Sequence, residues 1–253
     1  MSVQFVLQPT ANPAALFPAS IVQTPVSRAS TSLTTLHPIE QGPRLGFDSK
    51  PNFVGTLPVP GTTLHLAPDQ EIYGEGDEAR SLFQVVSGVV RTCKFLDDGR
   101  RQIDAFYVAG DVFGVEPGTE YRLSAEAVSE VTLVSYRRTS LEKVATTHAT
   151  ILPQLFAYAL QEMARAQDHA HLLGRKGAME KAATFLMTWS RHWPKAQIVT
   201  LAMTRQDIAD YHGLTIETVS RSLSQLERDK VIELTTARQF HVKDRAALRD
   251  LAA

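Results

Sequence analysis

Residues 204–230 constrain this chain more than any other stretch, because their order of caps, breakers and apolar positions admits few folds. Thr204-Arg205-Gln206-Asp207 is a capping signature, a hydroxyl that accepts a backbone N–H with a carboxylate three residues on. It predicts a short helix with Ile208 and Ala209 facing inward. His212-Gly213-Leu214 reads as a turn, with Gly213 in the left-handed conformation that ends a helix without a Cβ penalty. Ala209, four residues before Gly213, is small where a second helix must cross. Thr215 caps that second helix, which runs from Ile216 to about Lys230 with Ile216, Val219, Leu223 and Leu226 as its buried stripe. Two short helices joined this tightly are a helix-turn-helix.

The opposite face of the second helix carries Glu217, Ser220, Arg221 and Ser224. In a DNA major groove an arginine pairs bidentately with guanine O6 and N7, and a glutamate accepts from cytosine N4. Residues near the start of this helix are the ones that enter the groove. A glutamate there repels phosphates unless it meets a base donor or orients Arg221, so Glu217, Ser220 and Arg221 are the expected base readers. The competing account is a solvent-facing ion pair between Glu217 and Arg221, spaced i and i+4. After Lys230, Val231–Leu234, a polar turn Thr235–Gln239 and Phe240–Val242 read as two strands of a wing, closed by a helix over about Asp244–Leu251. Arg238 at the wing tip is a candidate phosphate contact. Thr204, Arg205, Gly213, Thr215, Thr218 and Ser224 complete the set as backbone contacts or supports of the motif.

Upstream the pattern changes twice. Residues 1–50 are dense in Pro, Ser, Thr and Gln and lack a sustained period, as expected of a mobile extension. From about 53 to 142, short apolar runs alternate with turns: Ile72-Tyr73 before Gly74–Asp77, Leu82–Val86 before Ser87-Gly88, and an alternating Val89–Phe95. Asp98-Gly99 is a hairpin signal, followed by Ile103–Tyr107, Ala125–Val128 and Val131–Tyr136. Such spacing describes an antiparallel sandwich or rolled barrel. Residues 139–173 then take a helical period. Leu152, Phe156, Ala159, Met163, Ala166, Ala170 and Leu173 recur at steps of three and four, the seam of a two-helix contact, with Pro153 in the first turn. A helix packed on its own domain would share this period; the length of the stretch and its alanines favour a partner helix and a homodimer. A further helix over about Ala178–His192 and a short strand Ile198–Leu201 lead into the motif. The expected segments are an extension at 1–50, an antiparallel β-roll at 51–142, a dimerisation helix at 143–174 and a winged helix-turn-helix at 175–253, together an α+β chain.

Charge follows the same division. Residues 61–143 carry 9 basic and 14 acidic side chains, whereas 174–253 carry 13 and 9, so the basic excess lies on the expected DNA module. No apolar run approaches the roughly 18 residues of a membrane span, and the N-terminus lacks the basic start of a secretory signal. Cys93 is the single cysteine, which excludes an intramolecular disulfide and fits a reducing cytoplasm. His65 is the one histidine between 53 and 142, so a His-rich metal site on the roll is not available and an enzyme is not expected. An RNA-binding role lacks the aromatic platform that single-stranded recognition uses.

A β-roll, a long helix and a winged helix-turn-helix together resemble the CRP/FNR superfamily of bacterial transcription regulators. Thr204–Tyr211 (TRQDIADY) and Leu214–Arg221 (LTIETVSR) are similar to its FixK branch. The resemblance covers about residues 55–250 and implies a cyclic-nucleotide-binding-like jelly roll. It also implies base contacts from Glu217, Ser220 and Arg221 to a TTGAT-N4-ATCAA-like palindrome. A homodimer of this kind recruits RNA polymerase, acting as an activator of genes for low-oxygen respiration or nitrogen fixation. The departures matter as much. Cluster-binding relatives use several cysteines, and thiolate ligation needs about four. Cyclic-AMP-binding relatives carry a Gly-Glu pair and an Arg-Ser-Ala phosphate cassette; here Val115 follows Gly114, Leu123 takes the arginine position, Arg122 is one residue off, and Glu116 and Glu120 oppose a phosphate. The expectation is a regulator that uses no cofactor. The alternative is one gated by an unidentified small ligand in the roll.

Overall fold

The computed structural model describes residues 59–147, 151–175, 177–194 and 196–252. The expected 1–50 extension lies outside them. The chain begins with strands β1 (Gly61–Leu66), β2 (Glu71–Tyr73), β3 (Ser81–Ser87), β4 (Val89–Phe95), β5 (Arg101–Val108), β6 (Val112–Phe113), β7 (Ser124–Ala127) and β8 (Val131–Arg137). They form two four-stranded antiparallel sheets, β1-β8-β3-β6 and β2-β7-β4-β5. Gly88 joins β3 to β4 at φ +86, and a Cβ there would sit 2.2 Å from the Glu130 carbonyl oxygen, so the two turns can meet only over a glycine. Strands β1 and β6 have no counterpart in the apolar runs read from the sequence. β1 is mostly exposed and β6 is two residues long, so neither carries an alternation to detect.

The roll interior is closed by aromatic rings. Tyr73 stacks on Tyr121 at 3.6 Å and on Phe83 at 5.6 Å, Phe83 stacks on Phe113 at 5.3 Å, and Tyr107 reaches Phe113 at 5.2 Å. All five are buried. Offset contacts of this kind stabilise beyond the area they bury. The Tyr121 hydroxyl donates to the Ser81 carbonyl at 2.6 Å, which satisfies its polar end.

Helix α1 (Arg138–Thr147) is followed by α2 (Ile151–Arg175). The segment expected to be one dimerisation helix over 143–174 is therefore two helices, because α1 belongs to the roll: Leu141 is buried with Tyr136 and Val112. One face of α2 packs on the roll as well. Leu155 and Tyr158 join the same cluster, the Tyr158 hydroxyl donates to the Val112 carbonyl at 2.7 Å, and the Arg165 guanidinium lies 5.0 Å over the Tyr107 ring.

The C-terminal part runs α3 (Ala178–Ser190), β9 (Val199–Thr200), α4 (Arg205–His212), α5 (Ile216–Arg228), β10 (Ile232–Thr236), β11 (Gln239–Val242) and α6 (Arg245–Ala252), with the sheet ordered β10-β11-β9. It is not a detached module. Val89 and Val108 of the roll share a core with Phe185, Trp189, Ile208 and Leu223, and Phe106 meets Tyr211 at 5.5 Å and Phe185 at 6.1 Å. This explains β4. Its sequence alternates as a half-exposed strand would, yet Val89–Cys93 are buried throughout, since Val90 faces the roll interior while Val89 faces the winged helix.

A charged cluster completes the join. Arg91 donates to Glu126 at 2.7 Å, to Asp69 at 3.1 Å and to Asp207 of α4 at 3.2 Å. Arg101 donates to Asp210 at 2.9 Å and also to Asp207. Asp207 is 2 % exposed. Such a carboxylate is tolerable because two guanidinium groups and a helix cap satisfy it.

Candidate nucleic-acid interface

The local chemistry of residues 204–221 folds as the residues dictate. The Asp207 N–H donates to the Thr204 hydroxyl at 3.1 Å, and the Thr204 N–H donates back to the Asp207 carboxylate at 2.8 Å, a complete capping box. Gly213 ends α4 at φ 63, ψ 38, its N–H on the Ala209 carbonyl. Thr215 caps α5, accepting from the Thr218 N–H at 3.3 Å, and the two threonine hydroxyls lie 3.1 Å apart. Ala209 is fully buried, as a helix crossing requires. His212 belongs to the last turn of α4 rather than to the connection. It is buried against Phe185, its ring edge-on at 5.5 Å, and its carbonyl accepts from Lys181 at 3.1 Å. That lysine contact has no sequence signal, because α3 and α4 meet only in the fold.

One position of the expected α5 stripe is corrected. Ile216 is 38 % exposed, while Val219, Leu223 and Leu226 are buried together with Ser222. Ile216 is the first residue of α5, at its free N-terminal end, and the buried face starts at Val219. The helix itself ends at Arg228, and Lys230 has φ 60.

Glu217 and Arg221 are exposed, and Ser220 and Ser224 half-buried, along α5. Among the described residues, Glu217 and Arg221 take no ion-pair partner, so the i, i+4 pair that would neutralise them does not form. The Glu217 backbone N–H and the Thr215 hydroxyl hold its carboxyl below the usual range, with Arg221 adding to the effect. A helix N-terminus favours a negative charge in this way. Arg205, the first residue of α4, donates from Nη1 to the Ser220 hydroxyl at 3.2 Å. Arg238 lies in the turn between β10 and β11 and is exposed, its N–H on the Thr236 hydroxyl at 3.2 Å. The face thus presents a carboxylate, a hydroxyl and a guanidinium along one helix, with the Arg205 guanidinium bonded to the hydroxyl.

The seam residues of α2 stand away from the roll. Phe156 is 64 % exposed, Met163 53 % and Leu173 37 %, and Ala159, Ala166 and Ala170 are exposed on the same stripe. The Leu152 side chain lies outside the described residues. Leu172, by contrast, is buried.

In the roll, the segment between β6 and β7 makes contacts of its own. Arg122 is exposed and holds Glu116 at 2.7 Å, while its neighbour Tyr121 enters the aromatic core. Cys93 is fully buried, and burial pushes its thiol up to about 11. Sequence reasoning missed Arg91 and Arg101, which reach α4 from the roll. Only the register of β4 on β5 and the docking of α4 bring them together.

Comparison with known proteins agrees with this architecture. Residues 63–148 match the model of the cyclic nucleotide-binding domain, and 180–251 match the Crp-like helix-turn-helix domain. The nitrogen fixation regulation protein FixK of Azorhizobium caulinodans is 47 % identical over 196 residues, covering 76 % of this chain and 79 % of the relative. FixK of Rhizobium meliloti is 39 % identical over 200 residues, covering 78 % and 92 %. The structure of FixK2 from Bradyrhizobium japonicum superposes with a TM-score of 0.75 at 45 % identity, over 77 % of this chain and 98 % of that one. With its roll, its long helix and its capped helix-turn-helix, this chain belongs to the CRP/FNR family of transcription regulators and is FixK-like.

Proposed function

We propose that the protein is a transcription activator that binds a TTGAT-N4-ATCAA-like palindrome as a homodimer and recruits RNA polymerase there. Glu217, Ser220 and Arg221 read bases, and Thr204, Arg205, Thr215, Thr218, Ser224 and Arg238 support the motif or contact the backbone. The observation that carries this reading is that Glu217 and Arg221 lie exposed on the first turns of a capped helix and, among the described residues, form no ion pair. Two charged side chains exposed to solvent and held in no salt bridge on a groove-sized helix are available to base edges. Similar proteins bear the names of nitrogen fixation regulators and of a transcriptional activatory protein, which supports activation of nitrogen-fixation genes.

Dimerisation is assigned to α2. Its inner face is occupied by the roll, and Phe156, Met163 and Leu173 on the other face are large apolar side chains left in water. A second copy of the same stripe would cover them and place two α5 helices on successive major grooves. Met163→Glu is expected to weaken both dimers and operator binding; unchanged dimerisation would move the interface elsewhere.

The reading includes no small effector. Three features of this roll support a reading without a cyclic nucleotide. Leu123 stands at the phosphate arginine position, Arg122 is engaged with Glu116, and the Tyr73, Phe83, Phe113 and Tyr121 rings fill the interior. The buried Cys93, protonated at neutral pH, is a poor thiol sensor. Selection of binding sites from random DNA by purified protein, with and without cyclic AMP and with and without air, tests all of this. Enrichment of one palindrome in every condition is expected. Absence of any preferred sequence, or a tenfold change in affinity with either addition, would sink the reading.

A further inference from the structure

The contact between Arg205 and Ser220 has a chemical direction. A guanidinium has N–H donors and no acceptor, so the Ser220 oxygen accepts in the 3.2 Å bond from Arg205 Nη1. Among the described residues the Ser220 hydroxyl donates to no protein group, although a helical serine ordinarily turns its proton back to the carbonyl four residues earlier. The Arg205 Nε is buried and, among the described residues, has no protein acceptor, and no carboxylate pairs with the Arg205 side chain. An unneutralised cation therefore leans on one lone pair of a hydroxyl whose proton is free.

We propose that Arg205 is a positioning residue that makes Ser220 a hydrogen-bond donor to the DNA, so that Ser220 selects a base edge presenting an acceptor. Such edges are guanine O6 or N7, adenine N7 and thymine O4; the amino groups of cytosine and adenine are disfavoured. The cation strengthens the donor, as charge-assisted bonds do. This goes deeper into the assignment of Ser220 as a base reader and rests on it. Arg205 itself need not touch a base.

The test compares full-length protein with Ser220→Ala, Arg205→Ala, Arg205→Lys and the Ser220→Ala/Arg205→Ala double variant. Each is scored for preference at every base pair of a randomised palindrome and for the salt dependence of affinity. Thermal melting checks that each variant folds. Ser220→Ala and Arg205→Ala are expected to relax the same base pair of each half-site, by about three- to tenfold, the worth of one hydrogen bond. The double variant should be no more relaxed there than either single one, and Arg205→Lys, which keeps a cationic donor, should retain part of the preference even if Arg205→Ala folds poorly. If Arg205→Ala instead weakens all sequences equally and flattens the salt dependence, Arg205 is a phosphate contact and the proposal is overturned. Equal loss in Arg205→Lys and Arg205→Ala overturns it too. If Ser220→Ala changes no base preference, the reading of Ser220 fails first; if Ser220→Ala relaxes a position that Arg205→Ala leaves intact, only the positioning role fails.

Discussion

The roll and the winged helix have treated their polar chemistry in opposite ways. In the roll, the interior is packed with rings, and Arg122 and Glu116 pair with each other. In the winged helix, Glu217 and Arg221 stand exposed and, among the described residues, in no ion pair. A buried face gains stability by filling and pairing, whereas a recognition face must leave groups unsatisfied so that the partner can satisfy them. The two regions meet at Asp207, which caps α4 and at the same time receives two arginines from the roll.

The largest expected effect breaks that meeting point. Arg91→Ala leaves the buried Asp207 and the half-buried Glu126 with less compensation, and losing one partner of a buried pair such as Arg91–Asp207 costs about 3–5 kcal/mol. Denaturant melts followed by Trp189 in the module and by a probe in the roll should separate; coincident transitions at unchanged stability would show that the two regions are not coupled through this cluster.

Arg221→Ala acts on the open face alone. Discrimination at one base pair per half-site should fall by about 1–3 kcal/mol while the melting curve stays in place. Uniform weakening across sequences, read by competition binding, would contradict a reading role.

The next effect depends on pH. Burial, with the charges of His169 and Lys181 nearby, lowers His212 to about 3 from its ordinary value near 6.5. The unfolded chain then takes up a proton that the folded chain refuses. Stability is fully present above pH 6.5 and falls below it, by about 1.4 kcal/mol per pH unit, until the folded imidazole also titrates near 3. Urea melts at pH 7.5 and 5.5 measure this, and His212→Leu should flatten the slope. His169, also lowered by burial, contributes in the same direction.

Arg238→Ala should have the smallest effect. Without this guanidinium each wing holds one phosphate fewer, so the salt dependence of binding falls by about one ion per wing and sequence preference stays unchanged. A change in base preference would place Arg238 among the readers.

Much of the winged helix was legible because its signals are local. Thr204 with Asp207, Gly213 and Thr215 each act within four residues, and short-range caps and turns are set by the chain's own backbone groups. The error at Ile216 arose where periodicity alone cannot tell a helix's free end from its packed middle. The roll was legible as strands and turns but not as a filled interior, since Tyr73, Phe83, Phe113 and Tyr121 are scattered in sequence and converge only when two sheets close.

By itself, then, the sequence determined the motif, its candidate readers, the strand-rich roll and the helical period of residues 139–173. The tertiary structure decided that α1 belongs to the roll, that β4 is buried on both faces, and that Arg91 and Arg101 reach α4. It also decided that Arg205 grips Ser220. The physical reason is range. Caps, turns and periods are interactions within a few residues of chain, whereas the partners of a buried charge or a stacked ring come from segments far apart in sequence. Packing brings them within a few ångströms, and only packing chooses them.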